Sequence, residues 1–302
     1  MIKKECFTAE WIEQVSSELH YNDKNLIEKV IRALSLLEML VKAGCPLVFK
    51  GGTALMLILG KSAHRLSIDI DLICPPGTNI EDYLKSFADF GFINLELVER
   101  KQRDDADIPK SHSKFFYQIA YRNDTDAQSY ILLDVLYEDI HYFRTQQIAI
   151  NCPFIRLEGK PLMVTVPSAE DILGDKLTAF APNTTGIPYY KNGRSCSMEI
   201  AKQLYDVGRL FENVSDLQIT KEAFRKIAVV ELSYRSFGTD IGQVFNDIRQ
   251  TALCISTRGK AGEGDFDLIQ DGIIRVKSFM YKQRYLIAVS YTHLRAHETR
   301  SN

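Results

Sequence analysis

The chain has 302 residues, of which 45% are hydrophobic and 25% charged, which is an ordinary globular composition. Its formal net charge is -2, so the chain as a whole offers no basic field for non-specific binding of nucleic acid. The first residues lack an apolar signal region, and no run approaches the ~18 apolar residues of a membrane span, so we expect a cytoplasmic protein with no membrane contact.

The first elements in chain order alternate between helix and strand patterns. Apolar residues at helical spacing over 24–43 predict an amphipathic helix that ends at Gly44. The segment PLVFK predicts a short buried strand, and TALMLILG predicts a helix that begins at Thr53 and ends at Gly60. Strict alternation in RLSIDIDLIC, residues 65–74, predicts a strand with Ser67, Asp69 and Asp71 on one face.

The rest of the chain changes from strands to helices. NIEDYLKSFADFG predicts a helix with Asn79 as its N-cap, and an antiparallel meander joined to the first two strands follows. The meander segments are 92–100, 113–122 and 130–138, and short strands are expected at 142–150 and 162–166. Helices are predicted within 168–181, 197–212, 220–237, 241–256 and 265–287. We therefore predict an α+β fold, with a mixed sheet and flanking helices over 1–160 and a mostly α-helical domain over 161–288.

Residues 289–302 form a polar tail that differs from the helical pattern before it. The string VSYTHLRAHET, residues 289–299, matches one reading frame of a sequencing-library adapter, and we expect this tail to be non-native. The alternative is a genuine polar tail in which His293 and His297 are four residues apart. The six cysteines have no CxxC pair and no zinc spacing, so we expect buried or surface thiols.

Asp69 and Asp71 are two residues apart, so on a strand their carboxylates point the same way. Two like charges side by side are costly unless a cation lies between them. Magnesium prefers oxygen ligands and commonly shares its shell with substrate phosphates. The pair therefore indicates a site for Mg²⁺ (or Mn²⁺), and the alternative is two solvated aspartates on an exposed sheet face.

Gly51 and Gly52 separate the predicted strand from the predicted helix. Without Cβ atoms the backbone can approach a ligand closely, and the N–H groups at a helix start favour an anion such as phosphate. Thr53 adds a hydroxyl or a cap, and Lys50 could reach phosphates or merely flank the strand. The alternative is a plain strand-to-helix turn, because neither a Walker A loop nor GxGxxG is present.

Asp134 interrupts the apolar run of YILLDVLYE. A carboxylate in such a run is seldom fully buried unless it is paired or bound to a metal. It is a candidate metal ligand, or a base for an attacking hydroxyl. The alternative is an edge-strand aspartate that faces water.

GGTAL followed by RLSIDIDL resembles the signature of the nucleotidyltransferase superfamily, and specifically that of the AbiEii/AbiGii toxin family. The matching residues are Gly51, Gly52, Thr53, Arg65, Ser67, Asp69, Ile70, Asp71 and Leu72. Later family motifs resemble ILGDKLTAF, which contains Lys176, and AKQLYDVGRLF, which contains Lys202 and Asp206. Gln203 stands where the family has an aspartate. The resemblance spans roughly residues 47–211.

The resemblance implies a nucleotidyltransferase-like fold and metal-dependent transfer of a nucleoside monophosphate from an NTP to an acceptor. It implies that Asp69 and Asp71 hold the metal with help from Asp134, and that Lys176 lies near the triphosphate. It also implies that Asp206 is a catalytic residue and that Lys202 contacts the nucleotide. Arg65 and Ser67 would either brace the carboxylate strand or contact the nucleotide. From the residues alone, Lys176 could be a solvated helix lysine, and Lys202 could pair with Asp206.

The resemblance also implies the toxin half of a bacterial toxin–antitoxin or phage-defence pair, with an antitoxin encoded nearby and RNA such as a tRNA 3′ end as a plausible acceptor. The loop at 181–196 mixes two tyrosines with Lys191 and Arg194, which suits nucleic acid, although a plain surface loop is equally compatible. The alternative function is a non-catalytic module that binds NTP or RNA, or that acts through a protein partner.

Overall fold

The computed structural model describes residues 1–98, 109–122, 127–234, 238 and 240–281. The chain divides into two compact units. The described residues of the first unit fall within 1–98, 109–140 and 145–167, and those of the second within 141–144 and 168–281. The expected adapter-derived tail, 289–302, lies outside the described residues.

The first unit is built on a five-stranded mixed sheet. Its helices are α1 Ala9–Glu18, α2 Lys24–Lys42 and α3 Gly51–Leu59. Its strands are β1 Val48–Lys50, β2 Ile70–Cys74, β3 Asn94–Val98, β4 Lys110–Gln118 and β5 Gln128–Tyr137, in the spatial order β1-β2-β5-β4-β3. The pair β2–β5 is parallel and the other pairs of this sheet are antiparallel. A separate antiparallel pair joins β6 Thr145–Ala149 to β7 Met163–Pro167. The predicted α+β class is confirmed.

A buried ion pair within helix α2 also forms hydrogen bonds to other segments of the first unit. Arg32 Nη2 lies 3.2 Å from Glu28 Oε1, and Arg32 Nη1 donates to the carbonyl of Gly91 at 3.0 Å. The Glu28 carboxylate also accepts from the backbone N–H of Ala120 at 3.2 Å. Burial raises the pKa of Glu28, and the neighbouring Arg32 offsets part of that rise. Because both charges are paired inside the unit, removing either one would leave an unpaired buried charge.

Helix α3 begins at Gly51 instead of Thr53, and β4 spans Lys110–Gln118 instead of 113–122. Two other predicted elements of the first unit differ more strongly from the structure. Strand β2 begins at Ile70 rather than at residue 65, because β1 has only three residues and its last register pair is Lys50 with Asp71. The chain then enters α3 and has no β1 residue left to pair with 65–69. The predicted helix at 79–91 is instead two 3₁₀ turns, Ile80–Tyr83 and Phe87–Phe90.

The segment between the two 3₁₀ turns is not helical, and Leu84 and Phe90 are both buried. The Asn79 side chain donates to Asp82 Oδ2 at 3.1 Å and caps no backbone group. The predicted N-cap role of Asn79 is therefore wrong.

The second unit is helical. Its helices are α4 Ala169–Ala179, α5 Ser197–Phe211, α6 Leu217–Ser233, α7 Ile241–Ser256 and α8 Phe266–Val276, with a small hairpin of β8 Tyr190–Lys191 and β9 Arg194–Ser195. Helix α4 begins at the Ser168 cap, and the fully buried Asp171 accepts from the backbone N–H groups of Phe143 and Arg144 at 2.7 and 3.0 Å. Helix α8 ends earlier than the pattern predicted, and residues 282–287 of that prediction lie outside the described residues. In the part of the chain that the structure describes, no helix is long and apolar enough to cross a bilayer.

Candidate functional site

A row of charged and polar side chains crosses the sheet of the first unit. The strand register pairs Lys50 on β1 with Asp71 on β2, Asp71 with Asp134 on β5, and Asp134 with His112 on β4. Directly paired residues project to the same face of a sheet, so these four residues are lateral neighbours. The order of the row is one cation, two carboxylates and one imidazole. The adjacent row on the opposite face is apolar and buried, and consists of Phe49, Leu72 and Val135.

Asp134 is held by His112 across β4 and β5. His112 Nδ1 lies 2.5 Å from Asp134 Oδ1, with the His112 side chain 8% exposed and that of Asp134 36% exposed. A carboxylate can only accept, so Nδ1 carries the proton whenever Asp134 is ionised. Strand β5 lies between β2 and β4, which rules out the edge-strand alternative for Asp134. No local sequence pattern identifies His112 as a site residue, because only the strand register connects it to the acids.

The two glycines are required by groups that approach them closely. Gly51 has a φ of +78°, and a Cβ built on it would lie 2.0 Å from Asp71 Oδ2. A Cβ on Gly52 would lie 2.7 Å from Ser67 Oγ and 2.9 Å from Arg65 Nη2. The missing side chains thus leave room for the carboxylate and for its neighbours. The loop and the acidic strand, predicted separately, form one packed cluster.

Thr53, Asp69 and Arg65 support that cluster. Thr53 is fully buried, and its hydroxyl donates to the backbone carbonyl of Asp69 at 2.7 Å, which connects α3 to the segment before β2. The side chain of Asp69 is half-buried and precedes the strand instead of lying within it. Arg65 is buried, and its Nη1 donates to the carbonyl of Leu66 at 2.9 Å. Arg65 therefore fits the bracing interpretation of the sequence analysis.

The donors of the row suit a hard cation. Asp71 and Asp134 are adjacent in the strand register, and both side chains are partly exposed. The Asp71 carboxylate occupies the space that a side chain on Gly51 would need. Among the described residues, no three His, Cys, Asp or Glu side chains form a group that could hold a metal by themselves. Magnesium is commonly bound by one or two carboxylates together with substrate phosphates, and the acids present fit that mode of binding.

The second unit contains a buried ion pair of two predicted site residues. Lys176 Nζ on α4 lies 2.9 Å from Asp206 Oδ2 on α5, and the two side chains are 10% and 2% exposed. Lys176 is therefore not the solvated helix lysine that its pattern also allowed. The Lys202 ammonium lies 4.1 Å from the ring centroid of Phe279. Helix periodicity placed each residue on its helix but did not predict the pairing of α4 with α5.

The segment 181–196 has an anchored part and a projecting part. Asp247, which is buried, accepts from the backbone and side-chain nitrogens of Asn183 and from the Thr184 hydroxyl at 2.8 to 2.9 Å. The β8–β9 hairpin follows and turns at Asn192 and Gly193, whose φ values are +51° and +73°. An Asn-Gly turn with two positive φ values is typical of a two-residue hairpin.

The hairpin exposes one aromatic ring and two cations. Tyr190 is 59% exposed, and Lys191 and Arg194 are also exposed. Tyr189 is instead partly buried and packs against the core formed by α5 and α8. Only one of the two adjacent tyrosines is thus available for stacking.

Comparison with known proteins adds a family match to this geometry. The family described as "Nucleotidyl transferase AbiEii toxin, Type IV TA system" matches residues 33–277. Among solved structures, JHP933 from Helicobacter pylori is 15% identical with a TM-score of 0.38, and the match covers 100% of this chain and 98% of that one. MenT4, a nucleotidyltransferase toxin from Mycobacterium tuberculosis H37Rv, is 14% identical with a TM-score of 0.45, covering 96% of this chain and 92% of that one. The search of proteins with curated descriptions gave no match.

Proposed function

Because the chain belongs to the AbiEii nucleotidyl transferase toxin family of type IV toxin–antitoxin systems, we propose that it transfers a nucleoside monophosphate to an RNA in a magnesium-dependent reaction. The family membership makes it a nucleotidyltransferase toxin with an NTP substrate and a cognate antitoxin. The metal, the RNA acceptor, a role in phage defence and a cytoplasmic location are parts of the proposal.

One observation carries the proposal, namely the Asp71 carboxylate that lies against the Gly51 backbone and beside Asp134. A glycine loop at the start of α3 offers N–H groups to phosphate, and the acids next to it offer oxygen ligands. The two features together suit a nucleoside triphosphate and its divalent cation. The Lys50 side chain, which starts in register with Asp71, adds a cation on the same face.

The proposed reaction is an in-line displacement at the α-phosphorus. An acceptor hydroxyl forms a bond to that phosphorus, the bond to the β-phosphate bridging oxygen breaks, and pyrophosphate leaves with the electron pair. Magnesium held by Asp71 and Asp134 together with the substrate phosphates, with Asp69 as a further predicted ligand, would supply positive charge for the transferred phosphoryl oxygens. The hydroxyl proton passes to water or to a carboxylate of the row. Gly51, Gly52 and Thr53 hold the start of α3 in place for the triphosphate.

The family resemblance also singles out residues that lie in the second unit. We expect Lys176 to serve as a cation toward the triphosphate and Asp206 to hold its ammonium group, since the two are paired at 2.9 Å. Lys202 stays a predicted nucleotide contact. These roles come from the resemblance, and the buried pair supports them only by showing that Lys176 is fixed in position.

The exposed hairpin supports RNA as the acceptor. Tyr190 can stack on a base, and Lys191 and Arg194 can contact phosphates. Stacking on an aromatic ring contributes about 1–3 kcal/mol per base and does not depend on the base. The hairpin could therefore bind the single-stranded end of an RNA without reading its sequence.

The test is transfer of label from each α-labelled NTP, with magnesium, to bulk tRNA and to protein. Wild type is compared with Asp71→Asn, and the exposed Asp89 supplies a matched control as Asp89→Asn. We expect labelled tRNA from wild type and from the control, and none from Asp71→Asn. Label on protein alone would overturn the RNA acceptor, and equal labelling by all three proteins would overturn the site. Nucleotide binding without any labelling would favour the non-catalytic alternative.

A further inference from the structure

We propose that His112 is a positioning residue, which fixes the Asp134 carboxylate beside Asp71 so that both can bind one divalent cation. The inference rests on the proposed function and adds to it a residue outside the sequence motifs of the family resemblance. It is carried by the strand register and by the hydrogen bond between His112 and Asp134.

The register determines which groups can act together. Asp71 and Asp134 are direct partners on parallel strands, and His112 is the direct partner of Asp134 on β4. Neighbouring strands lie about 4.8 Å apart, so the two carboxylates start from adjacent backbone positions on one face. His112 therefore lies on the far side of Asp134 from Asp71 and holds Asp134 from that side.

The hydrogen bond restricts the Asp134 carboxylate. Oδ1 of Asp134 accepts from His112 Nδ1 at 2.5 Å, and the imidazole itself is buried, with 8% of its side chain exposed. A bond to a buried, fixed donor selects one rotamer of the aspartate and occupies one of its oxygens. The second oxygen is then the one that can bind a cation shared with Asp71.

The row also favours a cation for electrostatic reasons. Two adjacent carboxylates repel each other, and a cation bound between them offsets that repulsion. Lys50 is the partner of Asp71 on one side, and a hydrogen-bond donor stands beside Asp134 on the other. Hydrogen-bonded partners of metal ligands typically contribute ~10–100-fold to metal affinity or activity.

A merely structural histidine would fill space in β4 and leave the cation site unchanged. The two amide replacements separate these roles, because each of them retains a polar side chain. Asparagine places its amide nitrogen where Nδ1 was, one bond from Cγ, whereas glutamine places it near the Nε2 position. His112→Asn should therefore keep the donor to Asp134, and His112→Gln should lose it.

The experiment measures Mn²⁺ binding by electron paramagnetic resonance and, in parallel, kcat and KM for NTP transfer. The proteins are wild type, His112→Asn, His112→Gln, Asp71→Asn and the exposed-histidine control His20→Gln. Thermal unfolding of each protein shows that the variants are folded. We expect Mn²⁺ affinity about 10–100-fold lower in His112→Gln, with kcat reduced and KM for NTP little changed. We expect His112→Asn to be close to wild type.

Each outcome has one meaning. Mn²⁺ binding and kcat in His112→Gln equal to wild type, while Asp71→Asn loses both, would overturn the role of His112 and leave the proposed function intact. Equal losses in His112→Asn and His112→Gln would also overturn it, because the donor at the Nδ1 position would then be irrelevant. Wild type and Asp71→Asn behaving alike would reject the proposed cation site itself, and the role of His112 with it.

Discussion

Replacing Gly51 by alanine should abolish nucleotide transfer at a small cost in stability, and Gly44→Ala provides the matched control. The two glycines have φ values of +78° and +76°, so an added Cβ costs about the same backbone strain at both, roughly 1–2 kcal/mol. The surroundings differ, because nothing lies within 4 Å of a Cβ on Gly44, whereas Asp71 Oδ2 lies 2.0 Å from a Cβ on Gly51.

The magnitude of the functional effect follows from that distance. A Cβ and a carboxylate oxygen in ordinary van der Waals contact are at least 3.4 Å apart, so Asp71 Oδ2 must move by more than 1 Å. Asp71 can relieve the contacts of Oδ2 and Cγ by rotating its side chain, which removes the carboxylate from its place beside Asp134. The Asp71 Cβ, 3.0 Å from the added Cβ, must then give by a few tenths of an ångström. Misplacement of a reacting group by about 1 Å can cost roughly 100-fold in rate.

The assay compares label transfer from NTP with the free energy of unfolding in urea for wild type, Gly51→Ala and Gly44→Ala. We expect similar losses of stability in both variants, near 1 kcal/mol once the stiffer unfolded chain offsets part of the strain. Only Gly51→Ala should lose transfer by about 100-fold or more. If Gly51→Ala transferred label as fast as Gly44→Ala, the position of Asp71 would not matter and the reasoning would be refuted.

Two further predictions concern buried charges. Lys176→Met removes the cation that lies 2.9 Å from the buried Asp206 carboxylate and should lower the free energy of unfolding by about 3–5 kcal/mol. Lys176→Met combined with Asp206→Leu should be far less destabilising in urea unfolding. A double variant no more stable than the single one would contradict this. Burial raises the pKa of Glu38 above 4.5, so its contribution to stability is fully present below that pH and is lost as the pH rises through the raised value. The free energy of unfolding in urea should be measured for wild type and Glu38→Gln from pH 4.5 to 7. The value for wild type minus that for Glu38→Gln should fall as the pH rises, and a constant or rising difference would contradict the prediction.

Local patterns in the sequence were sufficient for the elements that depend on neighbouring residues alone. Helix α2 followed its apolar periodicity from Lys24 to the end at Gly44, and the structure confirms it. The change from strands to helices near Pro167 was equally visible, because periods of two and of 3.6 residues differ over any window of ten residues. The glycine loop and the acids of RLSIDIDL were also identified, since neither adjacent glycines nor closely spaced carboxylates are expected in an apolar core.

Elements that depend on a distant partner were not predictable in this way. Strand β2 begins at Ile70 because β1 ends at Lys50, and no pattern within residues 65–74 contains that limit. His112 lies between two serines in an ordinary strand, and it became a candidate only through its register with Asp134. A register is set by which strands pair, and pairing of β4 with β5 is a property of the folded sheet.

The sequence by itself thus determined which residues could carry the chemistry, because residue type and spacing are local. Only the tertiary structure decided which of them lie close together. It placed Asp71 against Gly51 and beside Asp134, and it paired Lys176 on α4 with Asp206 on α5. The physical reason is that hydrogen bonds and ion pairs act over a few ångströms, whereas these partners are separated by 20 to more than 60 residues along the chain.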